Sequence, residues 1–405
     1  MMQAEKKSVP ELRFPEFTSC FENTLMGTIY PQIRNGFVGT ATPFYCESGI
    51  QYVQGRNVKS GEIQNNGFVS ITQNFHDKCA KSQLKTDDIL MVQSGHVGEC
   101  AVVTEDFNNA NCHALLVLTP KKNAVDSRFY VSYFYSPLGR QKIHIIKTGN
   151  TVAHILSSDL KKVTVPLPTL PEQQKIADFL TAVDARISQL IQKKALLEDY
   201  KKGLMQQLFS QTLRFKDDNG NDFPEWEEIE FEQIAAKSKT KHNPAKSDQD
   251  WPCVELESLS QNTGKLLETF SSSSQKSIKN KFSVGEVLFG KLRPYLKKFL
   301  HADFDGVCSS EIWVLTGKSV SNEFLYQLIQ THHFHQAANV SSGSKMPRSD
   351  WGFLASFPFQ YPSTLPEQRK IADCLSALDR RIESLATRIS LTQEFKKGLL
   401  QKMFV

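Results

Sequence analysis

Between residues 170 and 209 the apolar positions climb a 4,3,4,3 ladder: Ile176, Leu180, Val183, Ile187, Leu190, Leu197, Leu204 and Leu208, broken only at Lys194 and Lys201. A period near 3.5 predicts one long helix that buries a seam against another helix. The ladder returns at a constant offset of 195 positions, from residue 365, as Ile371, Leu375, Leu378, Ile382, Leu385, Ile389, Leu399 and Met403, with Thr392 and Lys396 as its polar breaks. About half of the paired positions are identical across the two forty-residue stretches. Two seams of equal length in one chain can pair with each other, and at ~1.5 Å per residue each helix spans roughly 60 Å. Thr169 and Thr364 each precede a Glu by three residues, a capping-box spacing, and Pro171 and Pro366 suit the first turn. Gly203 and Gly398, in the KKG triplets, weaken the last turns and predict an end or bend there.

The duplication reaches beyond the helices. LRFPEF at 12–17 has a relative, LRFKDDNGNDFPEW, at 213–226, directly after the first ladder. Short apolar runs bounded by Gly, Asn, Asp and Ser predict strands. In the first half these are IQYVQG at 50–55, DDILMVQSG at 87–95, ECAVVTE at 99–105 and HALLVLTP at 113–120; in the second they are GEVLFGKLRP at 285–294 and EIWVLTG at 311–317. Helix-like segments follow at 127–136 and 322–330, and then a small-residue polar loop, KTGNTVAH at 147–154 and SSGSKMPR at 341–348. The expected fold is therefore α+β: two globular modules, 1–165 and 211–361, each followed by a long coiled-coil helix, 166–210 and 362–405, in an internal pseudo-two-fold repeat. The helices kept their sequence while the modules drifted apart.

Composition narrows this picture only a little. A chain of 405 residues, 40% apolar and 10% aromatic, is of ordinary globular character. No apolar run is long enough to span a membrane and the N-terminus lacks a signal-peptide core, so a cytoplasmic protein is expected. Eight scattered cysteines without C-x-x-C fit free thiols in a reducing compartment. A net charge of +5 and a pI near 8.6 are too mild to argue for nucleic acid alone.

The two LPEQ-K-IA-L-D-RI-L-KKGL-Q-F helices at 170 and 365, the LRF openings at 12 and 213 and the polar loops at 148–154 and 342–348 together resemble one family, the specificity subunits of type I restriction-modification systems. The resemblance covers nearly the whole chain. It implies two target-recognition domains, each reading one half of a bipartite double-stranded DNA sequence. It also implies that the two long helices pair as an antiparallel coiled coil, separate the two domains, set the spacing and dock two modification subunits, with restriction subunits joining the full complex. No cofactor is expected in this chain; S-adenosylmethionine, ATP and magnesium are expected on the partner subunits. Paired helices also suit this geometry physically, because two readers on one face of B-DNA need centres about one helical turn, roughly 34–36 Å, apart.

Candidate DNA contacts follow from residue chemistry. In the second module Lys291, Arg293, Lys297 and Lys298 surround Tyr295, a cluster suited to phosphates, and an arginine can bridge guanine O6 and N7; the plain alternative is a solvated basic strand end. Lys345 and Arg348 flank the bare backbone at Gly343, against the alternative of an ordinary turn. The first module offers Gln93, Ser94 and His96, then Lys147, Thr148, Asn150 and His154, of which Gln93 and Asn150 suit the adenine N6 and N7 edge. For helix packing or partner docking the candidates are Ile176, Leu180, Val183, Ile187, Leu190, Leu197, Lys201 and Leu204 in the first helix. Their counterparts are Ile371, Leu375, Leu378, Ile382, Leu385, Lys396 and Leu399 in the second. Asp184, Arg186, Asp379 and Arg381 are candidates for helix or subunit contacts.

No catalytic constellation stands out in the sequence. The chain holds no Pro-Pro pair for an adenine methyltransferase loop and no G-x-x-x-x-G-K-[ST]. His332, His333 and His335 in HHFH lack neighbouring Cys or carboxylates and read as a polar surface at a helix end. Ser273 and Lys276 match S-x-x-K by chance in a serine run. A non-catalytic DNA-recognition subunit is thus favoured over a scaffold holding two identical protein partners without DNA, and over a stand-alone nuclease or methyltransferase. Only the first accounts for modules that diverged between matched helices.

Overall fold

The computed structural model describes residues 9–65, 67–149, 153–340 and 346–405. It divides into two compact units, Met1–Ile191 with Thr387–Val405, and Gln192–Ala386. The sequence boundaries set each helix apart as its own segment; by contact, each long helix instead gives one half to each unit. The helices are Leu170–Phe209 and Leu365–Lys402. Both run through their KKG glycines without ending there, and a Cβ at Gly203 or Gly398 would meet nothing within 4 Å.

In the first unit the central sheet is antiparallel, in the order Gln32–Asn35, Leu115–Thr119, Ile89–Val92, Cys100–Val102. Its inner strands read as continuous apolar runs because both faces are covered. Ile89, Met91, Leu116 and Leu118 meet Phe129, Tyr130, Tyr133 and Phe134 of helix Ser127–Tyr135 on one face. Leu90, Val92, Leu115 and Val117 pack with Val53, Leu84 and Val103 on the other. Each such fully buried side chain contributes ~1.5–3 kcal/mol. Beyond that second face stands a sheet of short strands that includes Ile50–Val53 and Val69–Ile71.

The second unit repeats the plan. Ala235–Lys237, Ile312–Gly317, Val287–Gly290 and Phe299–His301 form the central sheet in the same order, and a five-stranded sheet of short strands accompanies it. Helix starts are matched as well. Ser136 accepts from Gly139 N–H to cap Pro137–Ile145, and Thr331 accepts from Phe334 N–H to cap His332–Ala338. Each cap satisfies a helix N–H that would otherwise lack an acceptor.

Within each unit the two helix segments run antiparallel and close over the module. Ile176, Ala177, Leu180, Val183 and Ile187 share a core with Leu399, Leu400, Met403 and Phe404 in the first unit. In the second, Leu208 shares one with Ile371, Ala372 and Leu375. Leu190, Leu378 and Leu385 are buried too, whereas Leu197, Leu204 and Ile382 are half-buried.

Candidate nucleic-acid interface

The LPEQ motif and the LRF opening fit together. Arg13 donates from Nε and Nη2 to the carboxylate of Glu172 at 2.7 and 2.8 Å. Arg214 donates to Glu367 at 3.2 Å, and the Trp226 indole N–H joins it at 3.1 Å. Both glutamates are 1% exposed. Their carboxylates are therefore turned to arginine rather than back to the helix start, and the capping-box reading is corrected: a buried carboxylate is best satisfied by a planar guanidinium, and Thr364 Oγ1 is buried with no partner. The neighbouring glutamines hold the module itself. Gln173 accepts from Asp126 N–H at 3.0 Å and donates to the Pro168 carbonyl at 2.9 Å. Gln368 accepts from Ser321 N–H at 2.8 Å and donates to the Pro362 carbonyl at 2.8 Å. Asp126 and Ser321 are the N-cap residues of the corresponding module helices.

On that frame each module brings two loops together. In the first, the loop after strand Ile89–Val92 meets the small-residue loop: Ser94 pairs with His154, Thr148 with His154, and Ile155 N–H donates to the Gln93 carbonyl at 3.0 Å. In the second, the loop after Val287–Gly290 does the same: Leu292 pairs with Arg348, Arg293 N–H donates to the Pro347 carbonyl at 2.8 Å, and Ser349 N–H to the Lys291 carbonyl at 2.9 Å. Gln93, Ser94, Thr148 and His154 are thus adjacent, with His96 and Lys147 in the same two loops. Asn150 and Lys345 lie outside the described residues.

The second module's basic cluster is only partly open. Tyr295 is 56% exposed, on a turn whose flanking Arg293 and Lys297 both adopt left-handed backbone, φ 52° and 48°. Strain of that kind in non-glycine residues costs of order 1–3 kcal/mol each and collects at binding sites. Lys298 donates to the Leu256 carbonyl at 2.5 Å and Arg348 to Glu311 at 2.9 Å, so these two cations are held within the chain. His335 corrects the reading of HHFH as a polar surface. It is 4% exposed, neither ring nitrogen has a partner, and burial, helped by Lys297 and His332, pushes its pKa down to about 4. His333 donates from Nε2 to the Pro358 carbonyl at 3.0 Å, and among the described residues no group of three or more His, Cys, Asp or Glu could hold a metal ion.

The sequence reading missed Lys237, Lys239 and Lys241. These three form an alternating K-S-K-T-K run, and the fold sets Lys239, Lys241 and Lys291 close enough to Lys237 for all to depress its pKa. The alternation was the available signal. Also missed were two apolar pairs off the seam, Leu196 with Tyr200 and their twins Leu391 with Phe395, each 55–63% exposed. The seam lysines are spent inside the chain: Lys201 donates to Asp379 at 2.6 Å and to Gln330 at 3.1 Å, and Lys396 to Asp184 at 2.5 Å. Each ammonium is drawn to the aspartate of the opposite repeat, a contact of helix packing.

Two modules on one plan, each keyed to the long helices by an Arg–Glu pair and a glutamine, and each presenting a two-loop surface of its own chemistry, define an internally duplicated two-module protein. A family model described as the type I restriction modification DNA specificity domain matches residues 45–199 and again 224–393. The chain belongs to this family. The EcoDI specificity subunit of a type I restriction enzyme from Escherichia coli is 26% identical over 273 residues, 58% of either chain. The putative MjaX specificity subunit from Methanocaldococcus jannaschii is 31% identical over 211 residues, 49% of either. The matches thus span about half the length of these two relatives. The crystal structure of a type I restriction-modification S subunit from M. genitalium superposes with a TM-score of 0.62 at 16% identity, covering 98% of this chain and 99% of that one, which establishes the shared fold.

Proposed function

We propose that this chain is the DNA-recognition subunit of a type I restriction-modification complex, without catalytic chemistry of its own. Each module reads one half of a bipartite duplex target through its two-loop surface. The observation that carries this reading is the repeated meeting of loops, Ser94 with His154 and Leu292 with Arg348, built on one frame from different side chains. Different half-sites call for that difference, because base edges are read by side-chain chemistry while the frame only positions it.

The helices serve the assembly. Leu196 with Tyr200 and Leu391 with Phe395 are exposed apolar twins, and a duplicated patch suits two copies of one partner; the modification subunits are its natural occupants. They would supply S-adenosylmethionine chemistry, and restriction subunits ATP and magnesium. The length of the helices sets the number of unread base pairs between half-sites. Among the described residues no helix is long and apolar enough to cross a membrane.

The test is to co-express the chain with a modification subunit and map N6-methyladenine, beside a version lacking one heptad from a long helix. A bipartite methylated motif, lost or respaced in the deletion, is the expected result. Methylation that is identical without the chain overturns the reading.

A further inference from the structure

Lys237 occupies a place where the twin module has a buried isoleucine. The correspondence is fixed by a shared contact: Thr119 donates to Asp88 and Thr316 to Glu286, both at 2.6 Å, at the same corner of the two central sheets. One residue before each threonine, Leu118 pairs with Ile33 and Leu315 pairs with Lys237. Ile33 is 6% exposed in the helix-side core. A lysine at that position is expensive unless something returns the cost of removing its ammonium from water.

Aromatic rings hold the charge in place. The Lys237 ammonium stands 4.6 Å from the Trp351 ring centroid and 5.8 Å from that of Trp313, and the two indoles meet edge to face at 5.2 Å. Such contacts favour a cation but do not neutralise it. Among the described residues no carboxylate pairs with Lys237. Its charged neighbours Lys291, Lys241 and Lys239 are of the same sign, and with burial as the larger cause they push its pKa down. Ser349, two residues before Trp351 and bonded through its N–H to the Lys291 carbonyl, has a buried hydroxyl with no partner. An orphaned donor and a half-buried, unneutralised cation therefore flank the loop pair of the candidate interface.

We propose that Lys237, held between Trp313 and Trp351 and assisted by Lys291, is a contact for one phosphodiester group of the DNA bound at the second module. This rests on the DNA-recognition reading and assigns the residue a positioning role on the nucleic-acid backbone, carrying no sequence information. The aromatic clamp orders the side chain in advance, so less rotamer freedom is lost when the phosphate arrives.

The decisive variant is Lys237→Ile, which installs the twin's residue and removes an unneutralised charge. The full chain is tested for binding to a labelled mixed-sequence duplex over a series of salt concentrations, and for thermal unfolding. Lys237→Ile is expected to unfold at a higher temperature while the slope of log affinity against log salt falls by about 1; Lys237→Arg keeps the slope. Lys122→Met, the same charge change on an exposed loop of the first module, leaves the slope unchanged. A steep wild-type slope that Lys237→Ile does not alter overturns the phosphate contact and leaves DNA recognition standing. Wild-type chain with no salt-dependent DNA affinity sinks both. Replacing chloride by inorganic phosphate at constant ionic strength should leave wild-type binding in place; selective loss of the wild-type advantage over Lys237→Ile would assign the pocket to free phosphate and overturn the proposal.

Discussion

The first module spends its sheet-edge cation internally, and the second leaves its own without a counter-charge. Arg34 donates to Asp88 at 3.1 Å, to Thr119 at 2.5 Å and to the carbonyls of Lys81 and Gln83 at 2.9 and 3.0 Å, so its guanidinium is an internal strut. In the second module Glu286 is satisfied by Thr316 and by Ser283 N–H, and no carboxylate among the described residues pairs with Lys237, Lys239, Lys241 or Lys291. The central sheets agree strand for strand while the electrostatics at the same edge differ. Fold and ligand chemistry are thus carried by separate residues: buried pairs set the frame, and the edge and loop positions remain free to differ.

Breaking the frame should have the largest effect. Glu367→Ala leaves Arg214 and the Trp226 indole without their shared acceptor, and is expected to cost about 3–5 kcal/mol, as loss of a buried partner does. Glu172→Ala strands one arginine only and should cost less. All four tryptophans, 226, 251, 313 and 351, lie in the second module, so indole fluorescence during chemical denaturation reports that module while circular dichroism reports both. Equal losses in the two variants would show that the Trp226 contact adds nothing.

The buried His335 sharpens the comparison through pH. Its native pKa of about 4 lies below the ordinary 6.5, so the stability it permits is complete above 6.5 and is lost as pH falls towards 4. Between pH 7.5 and 5 the second module should lose about 2 kcal/mol from this group. His335→Leu should flatten that dependence, read by tryptophan fluorescence at the two pH values; an unchanged profile would mean that the imidazole charges without penalty.

The smallest effect is expected where the two halves agree. Gly203→Ala and Gly398→Ala place a methyl group in open space on continuous helices and should each stabilise by up to about 1 kcal/mol. Thermal unfolding of the two variants should shift upward alike, and a shift in only one would reveal an asymmetry that the backbone does not show.

How much of this was legible depended on repetition and period. The ladder Ile176, Leu180, Val183 and its copy declared the helices, and apolar runs such as ILMV at 89–92 and WVL at 313–315 declared the central strands. The outer sheets were mostly hidden, because strands of two to four residues such as Asn111–Cys112 and Phe270–Ser271 are too short to show a period of two. His335 was misread because its surroundings, Phe289 and the turn at 294–296, come from distant sequence. Lys237 was passed over because a lysine in a strand reads as solvent-facing, and only the pairing with Leu315 shows otherwise. The Thr–Glu spacing at the helix starts suggested a local cap, while the partner that claims each carboxylate lies more than 150 positions upstream in the chain.

Gln173 and Gln368 grip their modules through main-chain atoms alone, the N–H groups of Asp126 and Ser321 and the carbonyls of Pro168 and Pro362. A handshake with the peptide backbone is blind to the side chains it holds. Substitutions can accumulate across either module, or one module can be exchanged wholesale for another of the same plan, without the fastening registering the change. The fastening itself has no such freedom, which is why LPEQ reads the same at 170–173 and 365–368 while the loops it supports share almost nothing. A lineage of such chains can therefore acquire new readers on an old chassis.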